Sequence, residues 1–114
     1  MELIDSCQDG NVVVARVRRR RIFEDNFILE LGAGLKELIA REKVEKIVVN
    51  LSEVDFLSSS ALGRLIDVNK TAKQLERRLL FSNVSPEVRR MLRVTRLDEL
   101  FEIHADEAAA IAAA

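Results

Sequence analysis

Asn50-Leu51-Ser52-Glu53-Val54-Asp55-Phe56-Leu57-Ser58-Ser59-Ser60-Ala61-Leu62-Gly63 decides how the chain is read. The stretch leaves an apolar run, passes through a polar turn, sets three serines in a row and then takes on helical spacing. A serine at a helix start accepts a backbone N–H that has no partner inside the helix. One hydroxyl serves one or two such groups, so three serines exceed what a cap requires. The surplus makes Ser58, Ser59 and Ser60 functional candidates, with capping expected to be shared between Ser58 and Ser60.

Upstream, Lys46-Ile47-Val48-Val49-Asn50-Leu51 lacks polar alternation, which predicts a central, partly parallel strand covered on both faces. Before it, Phe27, Ile28, Leu31, Leu35, Leu38 and Ile39 recur at helical spacing, giving a helix over Glu24–Arg41. Gly32 and Gly34 inside that helix mark a close approach or a kink. Leu3–Cys7 and Val12–Val17 flank the Asp9-Gly10 turn signal and read as a hairpin within Met1–Val17. With the strand at 46–51, Val12–Val17 and the helix make a βαβ unit. Ser52–Asp55 then leaves the strand's C-terminal end, where functional loops of open α/β sheets gather.

Downstream, Ser60–Gln74 is a second helix with Ala61, Leu65, Val68, Ala72 and Leu75 as its apolar stripe. Leu79–Phe81 is a short strand, and Ser85-Pro86-Glu87 starts a third helix that runs to Val94. Leu97, Leu100, Phe101 and Ile103 continue the core, with a last strand at Phe101–His104. Asp106 caps an alanine-rich tail helix whose end is expected to fray. The fold class is α/β, in the order ββαβαβαβα. It implies a mixed sheet of about four to five strands with helices packed on it, in one domain over residues 1–114.

Composition narrows the function. The 114 residues carry a net charge of −1, so no global field favours nucleic acid or a membrane surface. The one cysteine, Cys7, leaves no internal disulfide and fits a reducing compartment. No leader-like or membrane-spanning run is legible, and a cytoplasmic location is expected. A serine nucleophile needs a base, and the one histidine, His104, sits at the far end of the chain. One Cys and one His do not make a zinc set, and no phosphate-binding glycine loop is present. No enzyme activity, metal or cofactor is therefore expected. Glu24/Asp25 and Glu53/Asp55 are carboxylate pairs of the kind found at turns and helix starts. Arg18–Arg21 reads as solvated charge after a strand, because no aromatic is interleaved and Glu24 and Asp25 dilute the field.

The run Ile47–Gly63 resembles the signature of STAS domains, with bacterial anti-sigma factor antagonists as the nearest likeness. Asn83-Val84-Ser85-Pro86-Glu87-Val88 and Leu97-Asp98-Glu99-Leu100-Phe101-Glu102-Ile103 are similar to later segments of that family. In the resemblance, Ser58 takes the place of the family's motif aspartate, Ser59 the phosphorylated serine, Ser60 the second hydroxyl and Ala61 the glycine. It implies a phosphorylation-switched module that binds an anti-sigma factor, itself a serine kinase, and so releases a sigma factor. A serine phosphatase would reverse the mark. Phosphorylation is expected on Ser59 ahead of Ser58 or Ser60. The expected partner surface comprises Ser58, Ser59, Ser60, Ala61 and Leu62, with Arg21 and Asp25 from the segment before the first helix. The alternative is a non-switching STAS scaffold subunit in a signalling or transporter-associated complex. A third class, nucleic-acid binding through Arg18–Arg21, is not expected.

Overall fold

The computed structural model describes residues 2–114; Met1, where the expected hairpin begins, lies outside them. The chain runs through β1 (Ile4–Asp9), β2 (Val12–Val17), β3 (Arg21–Ile22), α1 (Asp25–Ala40), β4 (Lys46–Asn50), β5 (Phe56–Leu57) and α2 (Ser59–Gln74). It continues through β6 (Arg78–Ser82), α3 (Pro86–Val94), a 3₁₀ turn at Leu97–Glu99, β7 (Glu102–His104) and α4 (Glu107–Ala112). The five-stranded sheet has the order β1-β2-β4-β6-β7. β1 and β2 are antiparallel, and every other pairing in it is parallel, so the expected mixed sheet is present. Gly10 closes the hairpin at φ 62°, a left-handed conformation that glycine adopts without a Cβ penalty.

Two strands exceed the expected order. β3 and β5 form a separate two-residue parallel ladder, Arg21 beside Phe56 and Ile22 beside Leu57. Arg21 therefore belongs to a strand, where the sequence had suggested only a charged loop.

Ile47 and Val49 face a core shared with Leu31, Leu35, Leu65 and Val68 from α1 and α2. Val48 and Leu80 point the other way, onto Ala110 of α4. Both faces of β4 are thus covered, which is why its sequence does not alternate. Each fully buried Leu, Ile or Val of this kind stabilises the domain by roughly 1.5–3 kcal/mol. The glycines of α1 mark close approaches. A Cβ on Gly34 would lie 2.6 Å from Ile4 Cδ1, and one on Gly32 would lie 2.8 Å from Arg64 Cγ. Gly32 thus admits α2, rather than the sheet, to the helix surface. Two residues assigned to the core lie outside it: Leu75 caps the end of α2, and Leu100 follows the 3₁₀ turn, both exposed at about 40%.

The tail helix is held at both ends. Glu107 accepts two hydrogen bonds from Arg16, at 2.8 and 2.9 Å. Lys46 Nζ donates to the carbonyls of Ala110, Ile111 and Ala113 at 3.2, 2.9 and 2.6 Å. A cation on the last carbonyls meets the negative end of the helix dipole, so the fraying expected from composition is overridden by this anchor.

Candidate functional site

The short β3–β5 ladder builds the serine turn. The amides of Asp55 and Phe56 donate to Arg20 O at 2.8 and 3.1 Å, and Ser58 N–H donates to Ile22 O at 2.9 Å. That last bond holds Ser58 in an extended conformation, φ −66° and ψ 166°, directly before α2. Ser58 Oγ then accepts the N–H of Ala61 at 3.1 Å, and its carbonyl accepts the N–H of Leu62 at 2.9 Å. Ser58 alone caps the helix. The capping share expected for Ser60 is not found: helix α2 starts at Ser59, so Ser60 is already its second residue.

Ser59 and Ser60 are exposed, at the end of α2 whose amides have no acceptor within the helix. No acidic residue lies in that first turn. The positive end of the helix dipole is therefore uncompensated by the helix's own side chains. Ala61 and Leu62 correct the expected partner surface, because they are buried at 0% and 6%. They pack inward, since positions three and four beyond the cap face the core. Among the expected contact residues, Ser59, Ser60, Arg21 and Asp25 are exposed, and Ser58 is half-buried.

The ladder brings Arg21 beside the turn, its guanidinium 4.8 Å from the centre of the Phe56 ring. Asp25 is the first residue of α1 and makes no hydrogen bond to the serines among the described residues. The other arginines of the run are matched by carboxylates. Arg18 meets Glu53 at 2.7 Å and Asp5 at 3.3 Å, Arg19 meets Glu24 at 3.2 Å, and Arg20 meets Asp55 at 2.9 Å. Four consecutive arginines thus present far less free charge than their sequence suggests.

His104 lies on β7, where its Nε2 is 2.8 Å from Glu102, and it has no hydrogen bond to Ser58, Ser59 or Ser60. A hydrogen bond from Arg78 is the chief reason the Glu102 carboxyl sits below its ordinary range, with a smaller contribution from His104. The Glu107 carboxyl is likewise lowered, first by the hydrogen bond from Arg16 and then by one from Asn50, against a desolvation that raises it. Both carboxylates serve the sheet and α4. Among the described residues, no group of three or more His, Cys, Asp or Glu is placed to hold a metal ion. Among the described residues, no helix is long and apolar enough to cross a membrane.

A mixed five-stranded sheet with helices packed on it in this order is an architecture shared by a known class of α/β modules. The STAS domain model matches residues 25–110, and the chain belongs to that family. A STAS-domain containing protein of Pseudomonas aeruginosa is 36% identical over 58 residues, which are 51% of this chain and 57% of that relative. The chain thus matches a little over half of that relative's length. Among solved structures, a putative anti-sigma factor antagonist of Thermotoga maritima superposes with TM-score 0.82 at 17% identity, covering 95% of this chain and 91% of that one. The Bacillus cell fate determinant SpoIIAA in its phosphorylated form gives 0.68 at 19% identity, covering 93% and 95%. A sulfate transporter family protein of Wolinella succinogenes gives 0.73 at 14% identity, covering 90% and 83%. At these identities the likeness is one of fold.

The β3–β5 ladder is the part of the site that sequence reading missed. Each strand is two residues long, below any periodicity window. The usable signal is two apolar pairs, Ile22-Phe23 and Phe56-Leu57, set among charged and polar residues, of which Ile22 and Leu57 are the fully or almost fully buried members.

Proposed function

We propose that this chain is a cytoplasmic anti-sigma factor antagonist, a protein-binding module with no chemistry of its own. Unphosphorylated, it engages an anti-sigma factor that is also a serine kinase, and a sigma factor is released for transcription. Phosphate on Ser59 ends the engagement, and a serine phosphatase restores it. One observation carries this reading: Ser58 Oγ is committed to the Ala61 amide, which leaves the Ser59 hydroxyl exposed and free at the first helical position. The likeness to SpoIIAA, known in a phosphorylated form, supports it.

The physics of the switch follows from that position. A phosphate there meets free amides and the positive dipole end, so the fold tolerates it. Its charge of roughly −2 instead opposes an apolar or acidic surface docked over the turn. Near-complete switching needs about 5.5 kcal/mol of differential affinity, which a dianion desolvated at an interface supplies. Ser58 caps as an aspartate would, but without charge. The turn is therefore neutral until Ser59 is marked, and the full charge of the phosphate registers as change. The surface that reads it comprises Ser58, Ser59 and Ser60, flanked by Arg21 and Asp25.

The scaffold reading has one observation in its favour, the likeness to a transporter-family STAS domain. A pull-down from native extract separates the two. The switching reading expects an anti-sigma kinase retained by wild type and Ser59→Ala, and lost with Ser59→Asp. Equal retention by all three, with no phosphoryl transfer to Ser59 on adding ATP, would leave the scaffold.

A further inference from the structure

Among the described residues, the densest group of cations without a carboxylate lies away from the arginine run, of which only Arg21 is unpaired. Arg89, Arg90 and Arg93 on α3, and Arg96 just beyond it, are all exposed, and none has a carboxylate within 4.0 Å among the described residues. Val88 and Leu92 bury the opposite side of the helix. At 100° per residue, Arg89, Arg93, Arg90 and Val94 fall along one solvent-facing arc. Val94 is 78% exposed, the most exposed large apolar side chain named here, and Leu100 stands beyond it at 41%. Like charges spaced three and four apart repel on a helix, so the free domain keeps this arrangement at a cost. Glu87 in the first turn is the acid that offsets part of it.

We propose that the outer face of α3 is a docking surface for an acidic segment of a partner protein, with Val94 as its apolar contact. Charge complementarity selects the occupant: a chain of net charge −1 concentrates unpaired cations on one nine-residue helix. The apolar residue among the cations selects polypeptide over nucleic acid. A phosphate backbone offers Val94 nothing, and Pro86–Val94 contains no aromatic side chain for base stacking. A membrane surface would ask for a broad apolar face, and α3 has a single exposed apolar residue on its arc. Arg89, Arg90, Arg93 and Val94 lie on the outer arc of α3, whose inner side packs on β5 ahead of the serine turn, and the proposed contact uses none of the three serines.

The test measures binding of a fluorescent peptide of alternating Glu and Leu at low salt, with a short DNA duplex and phosphatidylserine vesicles as comparators. Wild type is expected to bind the peptide saturably and to gain thermal stability from it. The variant R89A/R90A/R93A should lose at least about tenfold in affinity and flatten the salt dependence. V94S should weaken binding while leaving the salt dependence unchanged. R18A/R19A/R20A should bind as wild type does, because its arginines are already neutralised within the fold. Ser59→Asp should also leave peptide binding unchanged, so this surface can fail while the switch stands, and the reverse. Tighter binding of DNA or vesicles than of peptide would overturn the proposal. So would equal peptide binding by the α3 variant with its circular dichroism intact.

Discussion

Ser58 Oγ lies 3.1 Å from the Ala61 amide, and this one bond divides the labour of the three serines. It assigns the cap to Ser58 and frees Ser59. Ser58→Ala should destabilise the domain by about 1 kcal/mol, as loss of a helix cap usually does. Ser58→Asp should keep that stability, because a carboxylate caps equally well and also meets the positive helix end. Ser60→Ala should change stability by less than about 0.5 kcal/mol, the ordinary range for a surface position. Urea denaturation of the three variants checks the ordering, and a Ser60→Ala loss as large as that of Ser58→Ala contradicts it.

Gly32 and Arg64 should be energetically coupled. A Cβ at Gly32 displaces the Arg64 side chain from its Cγ outward, while at Gly34 it meets only the terminal methyl of Ile4. Gly34→Ala should be nearly neutral, since the helix gains roughly 1 kcal/mol in propensity against one methyl that must rotate. Gly32→Ala should destabilise by about 1–2 kcal/mol through overpacking. Gly32→Ala in an Arg64→Ala background should recover most of that loss, which a double-mutant cycle measures directly.

Acid should loosen the far face of the sheet. Glu107 is held below its ordinary range mainly by the hydrogen bond from Arg16, so its folded pKa lies below the unfolded one. The stability it contributes is complete above the unfolded value and is lost as pH falls through the folded one. Stability should therefore decline as pH drops below about 4.5, where Glu and Asp begin to protonate in the unfolded chain. Glu107→Gln should make that decline shallower, as read from denaturation midpoints across pH. An unchanged slope would remove Glu107 from the account.

Lys46 should govern the order of the tail. Its ammonium binds three carbonyls at the end of α4, and α4 covers Val48 and Leu80. Lys46→Met should leave β4 paired and raise amide exchange in α4 selectively, because a six-residue helix does not persist without tertiary support. Hydrogen exchange by mass spectrometry reads it. Uniform exchange changes across the sheet would contradict it.

The main sheet and its helices were legible because β4 is an unbroken apolar run and α1 and α2 each carry a periodicity long enough to count. The hairpin was legible from Asp9-Gly10, and the third helix from Ser85-Pro86-Glu87. What escaped depends on contacts between distant residues. The β3–β5 ladder joins positions 35 apart through two residues on each side. The anchoring of α4 needs Lys46 and Arg16, both far away in sequence. Leu62 entered the expected partner surface through the family resemblance, yet the turn of α2 points it inward. The arginine run looked free because its counterions, Asp5, Glu53 and Asp55, come from other parts of the chain. The arginines of α3 drew less notice in sequence because they are interleaved with apolar residues, and only the fold shows which of them lack partners.

The central claim is that phosphate on Ser59 acts on association and leaves the fold standing. The direct measurement compares unphosphorylated chain with chain carrying phosphoserine installed at position 59. Both are titrated against the anti-sigma kinase recovered by the wild-type protein, with unfolding recorded in parallel. The account predicts a complex weakened on the order of 10⁴-fold, about 5.5 kcal/mol, and an unfolding free energy within about 1 kcal/mol of the unmodified chain. Equal affinity of the two forms, or loss of binding only because the phosphorylated chain unfolds, would contradict it.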